Sequence, residues 1–177
     1  MSTSPVVDRG AANVKTRRVW SVVVLNVVTL GIYGVVWYYK INRELRDFGA
    51  AHGDTELGSS RPWHSVLAFT IGEPLELPRL ISLVRVPRRV QAAERIALGY
   101  ARPVRMETIA LVASIVLPWG GFLHGIGWAD ELAAFACFLL AMGAIQSRLN
   151  TAWRAAASSA EKTPADASRR YADPVWH

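Results

Sequence analysis

The stretch TLGIYGVVWYYK, Thr29 to Lys40, joins a valine-rich apolar run to a charged segment of helical period through two glycines and a cluster of aromatics. Extended back to Val19 it completes 21 uncharged residues, VWSVVVLNVVTLGIYGVVWYY. As a helix rising about 1.5 Å per residue, such a run reaches across roughly 30 Å of hydrocarbon. A transmembrane helix over residues 19–39 is therefore predicted. A cleaved leader is disfavoured, because the run is long for one and ends in WYYK rather than at a small-residue cleavage site. The alternative is a bend at the two glycines, which would return the chain to the side it came from.

The rest of the 177-residue chain keeps its apolar side chains, 51% of the total, in blocks. The second block, residues 63–86, carries Glu73, Glu76 and Arg79 at its centre and Pro74 and Pro78 one turn apart. Three central charges cost roughly 7 to 10 kcal/mol on insertion, against about 3 to 7 returned by its eleven large aliphatic and Phe residues. A pairing of Glu76 with Arg79 and neighbouring helices would have to close that gap. Two further blocks, 108–128 and 132–149, are long enough to span, with Asp130 and Glu131 predicted at the turn between them. The last block places Ala133, Cys137, Ala141 and Ala144 in a small-residue stripe suited to close helix approach.

Basic residues cluster before the first block, between Arg85 and Arg105, and after the fourth. The positive-inside rule then puts both termini and the arginine segment in the cytoplasm. Arg85, Arg88, Arg89, Arg95, Arg102 and Arg105 are read as a lipid-facing surface drawn to anionic headgroups. Residues Ile41, Leu45 and Phe48 recur at helical spacing after Trp37, predicting an amphipathic helix lying on the membrane surface. The fold expected is all-α and polytopic: about four hydrophobic helices in two hairpins, with one or two interfacial amphipathic helices. The membrane domain covers 19–154, and residues 1–18 and 155–177 read as disordered cytoplasmic tails.

The run VLNVVTLGIYGVVWYYKINREL, Val24 to Leu45, resembles the signature of a family of small bacterial membrane proteins, domain of unknown function 4234. The resemblance rests on Thr29, Leu30, Gly31, Ile32, Tyr33, Gly34, Trp37, Lys40 and Asn42. It continues more loosely at Pro78, at PRRVQAAERIALG, and at IQSRLNTAWR, where a Gln-x-x-Leu-Asn-x-x-Trp ending matches Gln146, Leu149, Asn150 and Trp153. The GEPLE of block two departs from the mostly apolar pattern. The resemblance implies a location in the bacterial cytoplasmic membrane and a helical architecture, and no chemistry.

No catalytic constellation accompanies it. His52, His64, His124 and His177 are isolated, Cys137 is the single cysteine, and there is no phosphate-cradling loop or nucleophile elbow. A basic surplus of +6 is explained by the membrane without nucleic acid. Neither a cofactor nor a metal is expected. The function predicted is non-enzymatic and carried by helix packing with another copy or another membrane protein. The alternative is a small oligomeric channel or transporter subunit using Glu73, Glu76 and Arg79.

Overall fold

The computed structural model describes residues 15–58, 77–124 and 127–172. Among them the chain is all-α, with five helices of ten residues or more and one single turn. These are α1 (Val19–Val28), α2 (Ile32–Ala51), the turn α3 (Thr55–Gly58), α4 (Leu77–Leu98), α5 (Arg105–His124) and α6 (Gly127–Ala172).

The single helix expected over 19–39 does not form. The chain stops at Val28, reverses through Thr29 to Gly31, and restarts at Ile32. The physical cause is a Schellman cap. Gly31 N–H bonds to Asn26 O at 2.8 Å and Leu30 N–H to Val27 O at 3.1 Å, with Leu30 at φ 50° and Gly31 at φ 93°. The two arms then lie side by side, and Arg17 below α1 forms an ion pair with Glu44 on α2. The bend is the geometry adopted.

A second hairpin, α5 and α6, is antiparallel, and α6 packs on α1 and α4 as well. Its second arm already begins at Gly127, so Asp130 and Glu131 are not at the turn between the helices. Asp130 instead lies in the first turn of α6, where a negative charge suits the helix dipole. Trp128–Ala160 within α6 is long and apolar enough to cross a membrane, and it alone qualifies among the described residues. Of the span predicted over 63–86, residues 63–76 lie outside the described residues.

The remaining boundaries shift for local reasons. The arginine segment is no separate interfacial helix, because α4 runs unbroken from Leu77 through Pro87 to Leu98 and ends on Gly99 at φ 76°. Glu73 and Glu76 lie outside the described residues, and Arg79 is placed only by its backbone, in the first turn of α4. Beyond Arg154, where a disordered tail was expected, α6 continues to Ala172. Alanine-rich sequence has the highest helix propensity, and an existing helix extends without a new nucleation step.

The core corrects the amphipathic reading. Ile41, Leu45 and Phe48 do share a face, but they are fully buried against α4 and α6 together with Leu57, Val90, Met142, Leu149 and Trp153. Trp37 and Tyr38 are buried too, whereas Trp20 is 74% and Tyr39 36% exposed. The face that looked ready for a membrane surface meets the chain's own helices instead.

Candidate functional site

The motif residues build the hairpin turn, each by a separate mechanism. Thr29 Oγ1 donates to Leu25 O at 2.7 Å and accepts from Tyr33 N–H at 2.9 Å, so one hydroxyl ties the end of α1 to the start of α2. Gly31 adopts the left-handed conformation that a side chain would oppose. Gly34 permits close approach: a Cβ there would sit 2.8 Å from Asn26 Oδ1 and 3.2 Å from the Phe138 ring. Every backbone N–H from Thr29 to Gly34 finds an acceptor within the turn.

Leu30 is the exception to local economy. The other described residues with positive φ are Gly31, Gly53 and Gly99, and α2 closes with the same Schellman pattern on Gly53. The left-handed conformation costs leucine about 1 to 2 kcal/mol. Yet Leu30 is 89% exposed and packs on almost nothing of its own chain. Burying a leucine side chain in an apolar medium returns about 1.5 to 3 kcal/mol, enough to outweigh that strain, whereas water returns nothing.

Below the turn, Trp37, Lys40 and Asn42 point different ways. Trp37 Nε1 donates to Gln146 Oε1 at 2.8 Å, and Gln146 Nε2 passes the chain on to Asn150 Oδ1 at 3.0 Å. Asn150 then brackets the backbone of Arg17, accepting from its N–H at 3.0 Å and donating to its carbonyl at 2.6 Å. Arg17, expected in a disordered tail, is thus fixed to α6 and α2. Asn42 is buried, donates to Tyr38 O at 2.9 Å and accepts from the Arg89 guanidinium. Tyr38 Oη reaches Ser82 O at 3.0 Å. Lys40 is exposed.

A second cluster ties α4, α5 and α6. Glu94 is fully buried and accepts from Arg102 Nη2 at 2.8 Å and Arg148 Nε at 3.0 Å. Arg148 also holds Glu107 at 2.9 Å and the carbonyls of Arg102 and Pro103 at 2.7 and 3.2 Å. Burial pushes the Glu94 carboxyl up, but the hydrogen bonds from Arg148 and Arg102 outweigh it and hold the group below the ordinary carboxylate range. An open cleft beside this cluster is lined by Arg102, Pro103, Glu107, Ala144, Ser147 and Arg148. Its charges already neutralise one another.

Of the arginines read as lipid-facing, Arg85, Arg88, Arg95 and Arg105 are exposed, Arg102 is half-exposed on Glu94, and Arg89 is not at the surface at all. Arg89 is buried because Asn42 and the carbonyl of Leu57 accept its hydrogen bonds. The small-residue stripe packs partly inside: Ala141 is buried, while Ala133 and Ala144 face outward. Among the described residues no three His, Cys, Asp or Glu side chains gather as a metal site. Sequence reasoning missed Arg17, Glu44, Glu94 and Arg148 as partners. The available signal was a set of polar residues, Gln146 and Asn150, spaced i, i+4 on a stripe with Leu149 and Trp153.

No curated protein and no solved structure matches the chain. The family match ends before Gln146, so the motif's partners on α6 lie outside the matched region and are joined to it only by the fold. A family model described as Domain of unknown function (DUF4234) matches residues 17–119, more than half of the sequence, and the chain belongs to that family.

Proposed function

We propose that this is an integral protein of the bacterial cytoplasmic membrane, without enzymatic activity, that acts by presenting a lipid-embedded helical surface to another copy of itself or to another membrane protein. One observation carries the reading: the exposed residues change character at a common level on every long helix. On α6 they run Trp128 and Glu131 at the far end, then Leu132, Ala133, Ala136, Leu140 and Ala144, then Ser147, Thr151 and Arg154. On α2 they run Ile32, Val36 and Tyr39, then Lys40 and Arg43; on α4, Ile81 gives way to Arg85 and Arg88. On α5, Met106, Ile109 and Val116 follow Arg105; on α1, Trp20, Val27 and Val28 follow Arg18.

The hydrogen bonds Trp37 to Gln146 and Tyr38 to Ser82 tie these transitions to one height. An exposed apolar collar above a charged, ion-paired base is what a bilayer interface selects, and it would be an aggregation liability in water. The base carries the cationic excess, so it and both termini face the cytoplasm in this reading. In this reading the crossing element is α5 with the apolar part of α6 from Trp128 to about Ser147, each about 30 Å long.

The test is alkaline carbonate extraction of membranes, with impermeant maleimide labelling of Ala51→Cys and Ser158→Cys in a Cys137→Ala background. Retention in the pellet, with both cysteines labelled only after the inner face is opened, is expected. Release into the supernatant, or labelling of either site in intact cells, overturns the reading. The channel alternative is separated by proton or cation flux into liposomes. Flux abolished by the pair Glu73→Gln and Glu76→Gln would replace the packing role.

A further inference from the structure

We infer that the α1–α2 hairpin is a re-entrant wedge that enters from the cytoplasmic face and delivers Leu30 to the acyl chains near the middle of the bilayer. This rests on the membrane reading above and adds the depth, direction and partner of the element the family motif encodes. Three independent features of the hairpin converge on it.

The first is reach. Ten residues of α1 rise about 15 Å, roughly half of a 30 Å hydrocarbon layer. Against α6, Asn26 and Gly34 are level with Phe138, which lies ten residues, about 15 Å, short of Trp128. The four residues from Asn26 to Leu30 recover only part of that distance. The turn therefore stops inside the layer whose two edges are marked by the exposed Trp20 and Trp128.

The second is saturation of the backbone. A turn can lie in hydrocarbon only if its backbone donors are satisfied internally, and the N–H groups of residues 29 to 34 all are, although the buried Asn26 side-chain amide beside Gly34 has no hydrogen-bond partner among the described residues. Thr29 supplies the acceptor that no backbone carbonyl provides, which gives its hydroxyl a specific purpose.

The third is the identity of the tip. Where α2 ends at the charged base, the left-handed residue is glycine; where α1 ends, the corresponding residue is leucine, flanked by exposed Val28 and Ile32. A strained, outward leucine is favoured only by an apolar surrounding. At the feet the surface reverts to Arg18 and Lys40 beside Trp20 and Tyr39, residues suited to headgroups. The occupant that fits this gradient is lipid: acyl chains at the tip, anionic headgroups at the feet.

The test places a nitroxide in turn at Leu30, Val36, Tyr39, Leu140 and Ser158 of the full chain, with Cys137 replaced by alanine. The protein is reconstituted in vesicles of phosphatidylethanolamine and phosphatidylglycerol. Collision with oxygen against a water-soluble nickel chelate reads depth. The wedge requires oxygen dominance to rise from Tyr39 through Val36 to Leu30, with Ser158 accessible to nickel. Nickel access at Leu30 while Leu140 remains oxygen-dominated overturns the wedge alone; nickel access at both overturns the membrane reading beneath it. Because a label at Leu30 sits on the turn, oxygen contrast between Val36 and Tyr39 is measured in unlabelled-tip protein, and a flat profile there is equally fatal.

Discussion

Replacing Glu94 with glutamine tests whether the charged base holds the bundle together. Glu94 accepts five hydrogen bonds, three from Arg102 and two from Arg148, and is fully buried. Glutamine keeps the shape, removes the charge, and turns one acceptor into a donor facing a guanidinium. Removing one partner of a buried pair costs about 3 to 5 kcal/mol. Here Glu107 still neutralises Arg148, and the Arg102 side chain is 50% exposed, so water can replace what it loses. The lower end, about 3 kcal/mol, is expected.

At about 2 to 4 °C per kcal/mol for a chain of this size, that is a fall of about 6 to 12 °C in Tm. The assay is thermal unfolding of purified protein in lipid nanodiscs, followed by helical circular dichroism. The acid branch gives a second reading. The folded-state pKa of Glu94 is depressed, so its contribution is complete above the unfolded value of 4.5 and is lost as pH falls through the folded value. Wild type and variant should run parallel from pH 5 to 8 and converge below about pH 4.5. A Tm change under 2 °C at pH 7, or curves parallel down to pH 3, would refute the argument.

Three further outcomes follow from the same geometry. Gly34→Val places a branched side chain against Asn26 and Phe138, and should destabilise the hairpin by about 1 to 3 kcal/mol, read as the same Tm shift; Phe138→Ala in the same chain should recover part of it. Trp37→Phe removes the indole donor to Gln146 while keeping most of the packing, and should cost about 1 to 2 kcal/mol in thermal unfolding, with no recovery from added salt. Asn150→Ala deletes both bonds to the Arg17 backbone and should speed amide exchange at Arg17 about tenfold or more, while exchange in the middle of α5 stays unchanged.

The motif identified the family from the sequence, and the all-α class was legible from apolar blocks without strand alternation. The reversal at Thr29 was legible only as the alternative, a bend at the two glycines, while the length of the apolar run favoured a single span. Hydropathy counts residues and is blind to a Schellman cap closed on leucine, since the sequence signal for such a cap is glycine at the position Leu30 holds. The face Ile41, Leu45 and Phe48 was legible as apolar, but periodicity cannot say whether lipid or protein covers it. Arg89 read as surface charge for a similar reason, and Glu94 went unread. Their partners, Asn42 and Arg148, stand 47 and 54 residues away, and no local pattern announces such pairs.

The bracket that Asn150 places on Arg17 has a consequence for the order of events at the ribosome. The hairpin is complete once Ala51 has been made, but the residues that hold its feet, Gln146 and Asn150, are about a hundred residues further on. At about 5 to 20 residues per second, the interval is on the order of 5 to 20 s. During that time Trp37 has no Gln146 to bond and the hairpin has no α6 to lean on. Assembly of this fold therefore secures the hairpin late, because α1 and α2 are synthesised well before the α6 residues that hold them.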